Sequence, residues 1–209
     1  VNEKMINLKS YKKKHGVIKS NSGASLIDLG DGIALLEFHS KSNSIGLDIL
    51  QMINFAVDEV EKNFKGLVIS NQGKNFSVGA NLGMILMEAQ DDNIFELDFV
   101  VRQFQNATMK IKYSSKPVVV APFGMTLGGG AEVTLPAAHI QASSETYMGL
   151  VEAGVGLIPG GGGNKELYMK HLKGIPNGVQ IDYLNVASKV FETIAMAKVS
   201  TSGEEAREN

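Results

Sequence analysis

Two short apolar runs with one amphipathic helix between them constrain this chain more than any other feature. Ile33-Ala34-Leu35-Leu36 and Leu67-Val68-Ile69 read as buried strands. Between them Ile49, Met52, Ile53, Ala56, Val57 and Val60 recur at helical spacing over residues 45–64. Strand, helix and strand in that order predict a right-handed crossover into a mostly parallel sheet. Val118-Val119-Val120 offers a further buried strand, and residues 24–38 read as a hairpin about Gly30-Asp31-Gly32. Helical stretches are expected over residues 82–89, 94–113, 164–171 and 179–197, with a short helix over 131–138 that starts at Gly128-Gly129-Gly130. Residues 140–142 and 146–148 read as short strands, and Gly124 as the start of a turn. The fold class is α/β.

The 209 residues suffice for one domain with a real core, or two small ones. With 44% hydrophobic and 20% charged residues, the composition is that of a soluble globular protein. A net charge of −2 gives no electrostatic case for nucleic acid or an anionic membrane. The absence of cysteine excludes disulfides, a thiolate nucleophile and cysteine-ligated metal, and fits a cytoplasmic protein. No apolar run approaches the roughly 20 residues of a membrane span, and the Lys-rich start lacks the apolar core of a signal peptide.

Residues 1–24, with Lys9, Lys12, Lys13, Lys14 and Lys19, read as a solvated linker or tail, or a tether to another domain. Residues 25–198 form the expected main domain. Residues 199–209 read as the start of a truncated helical region, where Ser202 and Glu205 make a capping-box pattern with no helix to follow. A start at Val1 and an end within this element lead us to expect a piece of a larger protein.

Glu132 and Glu152 are the candidate catalytic groups. Each lies near glycines: Gly128-Gly129-Gly130 precede the first, and a cluster from Gly154 to Gly163 follows the second. Paired carboxylates supply acid and base, and glycine lets backbone N–H groups approach a ligand oxygen. Gly79-Ala80, after one strand and before a helix, is a second donor turn, and ligands collect at the carboxyl ends of parallel strands. Plain structural roles stand beside these: a tight turn for the triple glycine, a dipole partner for Glu132, a surface loop acid for Glu152. Gly154-Val155-Gly156 is no dinucleotide fingerprint, because Pro159 holds the position of the third glycine. His15, His39, His139 and His171 have no metal-ligand spacing, so no metal is expected. Ser143 and Ser144 lack an evident His partner, which argues against a serine hydrolase.

Over residues 33–167 the chain resembles the crotonase superfamily, the enoyl-CoA hydratases and isomerases. The segments that carry the likeness are NQGKNFSVGANL, KPVVVAPFGMTLGGGAEVTL and VEAGVGLIPGGGGNKEL. The resemblance implies a spiral of β-β-α turns with mostly parallel sheets and peripheral helices, truncated at its C-terminal end, and association as a homo-oligomer. It implies backbone donors at Ala80 and Gly129 for a thioester oxygen, flanked by Gly79 and Gly128, with catalytic Glu132 and Glu152. Relatives that isomerise often keep only one of these glutamates, so the pair points to hydration of a trans-2-enoyl-CoA.

Asn81 stands where the family often has Asp, and Lys41-Ser42-Asn43-Ser44 replaces a more usual Arg-Pro loop. Lys41 is therefore a candidate CoA contact. The Lys-rich leader and Ala138-His139 are similar to the hydratase part of bacterial multifunctional β-oxidation proteins. That likeness implies fusion to a 3-hydroxyacyl-CoA dehydrogenase; NAD would belong to that part, and this chain would need no cofactor beyond its acyl-CoA substrate. The alternatives are Δ3-Δ2 enoyl-CoA isomerisation and a non-catalytic module for acyl-CoA binding or oligomerisation.

Overall fold

The computed structural model describes residues 6–176 and 178–208. Strands β1 (Lys19–Ser20), β2 (Ala24–Asp28), β3 (Ile33–Phe38), β4 (Gly66–Ser70), β5 (Val118–Val120) and β7 (His139–Ile140) form one sheet in the order β1-β2-β3-β4-β5-β7. The expected hairpin is β2 against β3, antiparallel, with Leu26 opposite Leu36. From β3 onward every pairing is parallel. Helix α2 (Leu47–Asn63) makes the crossover from β3 to β4. Its apolar stripe, Ile49, Met52, Ile53, Ala56, Val57 and Val60, is fully buried against the sheet and α4 (Ile94–Lys112). Ala34, Leu36 and Phe38 meet that stripe from β3, and Leu67, Ile69, Val118 and Val120 from the next two strands.

A second, smaller sheet sets the site. β6 (Gly124–Leu127) pairs in parallel with β8 (Thr146–Gly149), and Ser77 bridges to Thr126 at the same layer. The chain thus repeats one step. β5 in the large sheet leads to β6 in the small one and then to α5 (Gly129–Thr134). β7 leads likewise to β8 and then α6 (Gly163–Leu172), and β4 leads through Ser77 to α3 (Leu82–Gln90). This is the spiral of β-β-α turns. Each turn ends with a strand handing the chain to a helix at the same edge of the small sheet. α7 (Tyr183–Ala195) packs beside α6.

Three elements differ from the sequence-based expectations. Residues 8–15, expected as part of a solvated tail, form helix α1 (Leu8–His15), capped by the Asn7 side chain accepting from Ser10 N–H at 3.0 Å. Leu8 is buried and Tyr11 packs beside it over Ile27 and Leu35, on the face of β2 and β3 turned away from α2. Lys12 closes the contact with an ion pair to the buried Glu37. The lysines mask an apolar i, i+3 pair. Gly124 starts strand β6 rather than a turn alone. After Ser202, whose hydroxyl accepts from Glu205 N–H at 3.1 Å, a short helix α8 (Gly203–Glu208) does follow. The remainder of the 1–24 stretch before Ile6 lies outside the described residues.

Because Ile53 is fully buried where α2 meets the sheet, Ile53→Ala should cost about 2–5 kcal/mol of unfolding free energy. Urea denaturation followed by circular dichroism measures it, and a loss below about 1 kcal/mol would contradict this packing.

Candidate active site

The first donor turn is built by the loop that follows β4. Gly79 has φ +101, a conformation that suits glycine, and a Cβ there would lie 2.9 Å from the Leu127 carbonyl oxygen. Ile45 grips the chain on either side of Ala80: its N–H donates to Gly79 O at 2.8 Å, and its carbonyl accepts from Asn81 N–H at 3.3 Å. Ala80 therefore turns its own N–H away from Ile45, and among the described residues that N–H has no acceptor. Asn81 caps α3 by accepting from Met84 N–H at 3.3 Å.

The second donor turn lies beside the first. Leu127 N–H donates to Ser77 O at 3.0 Å and Gly128 N–H to Gly149 O at 2.9 Å, so the end of β6 is fixed to both neighbours. Gly128, at φ +52, then reverses the chain into α5. A Cβ on Gly129 would lie only 3.2 Å from Ala80 N and 2.9 Å from the Phe104 ring. Gly129 N–H likewise has no acceptor among the described residues.

One turn along α5, Glu132 is 4% exposed. Its Oε1 accepts from Gly161 N–H at 2.8 Å and from Gly163 N–H at 2.9 Å. Burial raises its pKa from 4.5 to about 7; the N–H groups of Gly163, Gly161 and Gly162 oppose that rise, and the charge on Glu152 adds to it. Glu152 begins the 3₁₀ turn Glu152–Val155 that follows β8. Its stem is partly exposed, but both carboxylate oxygens are buried and take no hydrogen bond from the described residues. Burial raises its pKa too. A Cβ on Gly128 would lie 3.3 Å from Glu152 Oε1. The glycines are thus crossed: those before Glu132 give room beside Glu152, and those after Glu152 bind Glu132.

One cleft of about 230 Å³ brings these groups together. Gly79, Ala80, Gly128, Gly129, Glu132 and Glu152 all line it, and Leu50, Met84, Ile85, Val101, Phe104 and Ile158 supply apolar walls. Lys41 is not brought in: it is exposed on the 3₁₀ turn Lys41–Asn43, outside the lining. Gly161, Gly163 and Phe104 are site residues that the sequence reading did not single out. The PGGGG run at 159–163 held the signal for the two glycines, and Phe104 was hidden in the apolar period of α4. Among the described residues no group of three His, Cys, Asp or Glu could hold a metal ion. No described helix is long and apolar enough to cross a membrane.

Residues 28–172 match the family described as enoyl-CoA hydratase/isomerase. This chain belongs to the enoyl-CoA hydratase/isomerase family. It is 70% identical over 207 residues to a Bacillus subtilis protein named "Probable 3-hydroxyacyl-CoA dehydrogenase", covering 99% of this chain and 26% of that one. It is 33% identical over 154 residues to the fatty acid oxidation complex subunit alpha of Shewanella amazonensis, covering 68% of this chain and 21% of that one. The chain therefore spans about a quarter of the length of these curated relatives. An enoyl-CoA hydratase from Polaromonas sp. JS666 superposes with a TM-score of 0.75 at 20% identity, over 88% of this chain and 67% of that one. One from Geobacillus kaustophilus gives 0.74 at 23% identity, over 91% and 66%. The fold is that of the enoyl-CoA hydratases.

The buried Glu132 makes a thermodynamic prediction for this family member. The folded chain holds the Glu132 proton up to about pH 7, whereas the unfolded chain releases it near 4.5. The unfolded state thus binds fewer protons between those values, and stability falls as pH rises through them. Glu132→Gln removes that slope while its amide oxygen can still accept from Gly161 and Gly163. Its stability relative to the wild type should grow by about 3 kcal/mol from pH 4 to pH 8. Urea denaturation across that range measures it, and parallel profiles for the two proteins would refute it.

Proposed function

We propose that the chain hydrates a trans-2-enoyl-CoA to the 3-hydroxyacyl-CoA. One observation carries this: two buried carboxylates and two backbone N–H groups that have no acceptor among the described residues line a single apolar cleft. The thioester carbonyl oxygen lies between the N–H groups of Ala80 and Gly129. Donors fixed by the backbone stabilise the negative charge this oxygen gains as the enolate forms, and in a low-dielectric cleft they need no reorganisation.

Glu132 and Glu152 hold the attacking water. Burial makes both carboxylates harder to ionise, and the charge on Glu152 adds to this at Glu132, so near neutral pH the pair favours carrying one proton between them. The ionised member takes a proton from water as its oxygen bonds to the β-carbon. The electron pair of the double bond moves toward the α-carbon and the thioester oxygen. The neutral member then delivers its proton to the α-carbon, and the sum is addition of one water. The reaction is redox-neutral and needs only acid, base and oxyanion donors, so we assign no cofactor to it. The walls at Leu50, Met84, Ile85 and Ile158 take the acyl chain.

The names of the longer relatives support a place in fatty-acid β-oxidation, with a 3-hydroxyacyl-CoA dehydrogenase on the same polypeptide oxidising the product at its own NAD site. A cytoplasmic homo-oligomer is the accompanying assignment.

In the full protein that carries this chain, Glu132→Gln and Glu152→Gln should each lower kcat for a short trans-2-enoyl-CoA by roughly 10²–10⁴-fold, with KM little changed. Loss of absorbance by the conjugated thioester measures hydration. Unchanged rates in both variants would defeat the proposal. A 3-enoyl thioester turned over faster than the 2-enoyl one would replace hydration with isomerisation. Thioester binding without turnover in the wild type would leave a binding module.

A further inference from the structure

The glycine loop that binds Glu132 is itself held from behind by one stripe of α4. Residues 159–163 read Pro-Gly-Gly-Gly-Gly, and Gly162 sits at φ +112. Such a segment has little conformational preference of its own. Gln105 Nε2 donates to Gly160 O at 2.8 Å. Thr108 Oγ1 donates to Gly161 O at 2.7 Å, and more weakly back to Gln105 O at 3.0 Å. Lys112 pairs at 2.6 Å with Glu166, in the first turn of α6. Positions 105, 108 and 112 fall on one helix face at i, i+3 and i+7 spacing.

Peptide planarity turns these grips into aim. The carbonyl of Gly160 and the N–H of Gly161 belong to one rigid trans unit and point in opposite directions. Gln105 holds the carbonyl, so the N–H is directed the other way, onto Glu132 Oε1. Thr108 holds the carbonyl of the Gly161–Gly162 unit; the Gly162 N–H makes no hydrogen bond to Glu132 among the described residues, but it too favours the charged form. The third unit has its Gly162 carbonyl taken by Glu166 N–H at 3.0 Å and its Gly163 N–H on Oε1.

We propose that Gln105 and Thr108 are positioning residues for the hydration assigned above: through two rigid peptide planes they aim backbone N–H groups at Glu132, and so keep its carboxylate oriented and able to ionise in the cleft. Neither side chain lines the cleft, so they act through the loop alone. Among the described residues Glu152 is the one titratable group whose charge acts on Glu132. Lys112 and Lys165 are engaged with Glu166, which burial pushes up in pKa and the two lysines pull down further.

The test uses Thr108→Val, Thr108→Ser and Gln105→Ala, with Gln105 exposed so that its loss leaves the fold intact. Carboxyl carbons of ¹³C-labelled glutamate are titrated by NMR, with the Glu132 signal assigned from Glu132→Gln. Thr108→Val and Gln105→Ala should each move the Glu132 midpoint up by about half a pH unit or more. They should lower kcat about tenfold with KM little changed, and shift the lower limb of the kcat–pH profile in the same direction; Thr108→Ser should restore both. A midpoint unmoved in folded Thr108→Val and Gln105→Ala overturns the proposal, as does a moved midpoint with kcat unchanged. If the wild type hydrates nothing, the hydration assignment fails by itself, while the titration still shows whether the stripe sets Glu132.

Discussion

Glu132 Oε1 and the two N–H groups on it are the interaction on which the rest of the structure depends. The bonds join positions 29 and 31 residues apart and tie the start of α5 to the start of α6. A carboxylate this deep is costly to ionise without donors. The loop supplies them, yet burial still outweighs them, which leaves the group near neutrality rather than locked in either state. Glu132 also follows Gly129 by a single helical turn. One short helix therefore carries both a backbone N–H that faces the cleft and a buried carboxylate, and whatever places α5 places the candidate site.

What places α5 is the small sheet. β6 ends at Leu127, which is bonded to Ser77, and Gly128 is bonded to Gly149 at the end of β8. The two donor turns and the turn carrying Glu152 thus leave adjacent chain ends at one edge. That precision is anchored by the large sheet and α2, which buries seven residues. α3, by contrast, has no buried residue, although Met84 and Ile85 line the cleft. The end of the cleft with the two carboxylates rests on the rigid part of the fold, and the apolar wall of Met84 and Ile85 on a lightly anchored helix.

Local pattern made the large sheet legible. The stripe of α2, the hairpin and the apolar runs of β4 and β5 each declare themselves within a few residues. β6 does not, because Gly-Met-Thr-Leu becomes a strand only by pairing with β8 and bridging near Ser77. Charge misled at α1, where five basic residues within 9–15 concealed Leu8 and Tyr11. At the site, residue types and the donor turns were readable, and the resemblance linked them. Which glycines serve which glutamate was not readable, since that crossing depends on how α5, α6 and the 3₁₀ turn meet in space. Gln105 and Thr108 were invisible for the same reason: their partners lie 55 and 53 residues away.

The crossed glycines leave the two carboxylates held in different ways, and that asymmetry bears on mechanism. Glu132 is fixed by hydrogen bonds to its own head group, so its position and its charge respond together to the loop. Glu152 has only its backbone to fix it: Leu157 N–H donates to its carbonyl at 3.0 Å, and the turn packs against α7. Its two oxygens take no hydrogen bond from the described residues, which leaves them open to partners that enter the cleft. In the proposed reaction, a water between them would meet one partner whose geometry the protein has already settled and one whose partners the reactants provide. Under the proposed hydration, proton transfer at Glu132 would change bonds to the protein, whereas proton transfer at Glu152 would change bonds to the substrate alone. The proposed division of acid and base between two carboxylates that look alike in sequence thus rests on the backbone around them, with no further charged side chain among the described residues that line the cleft.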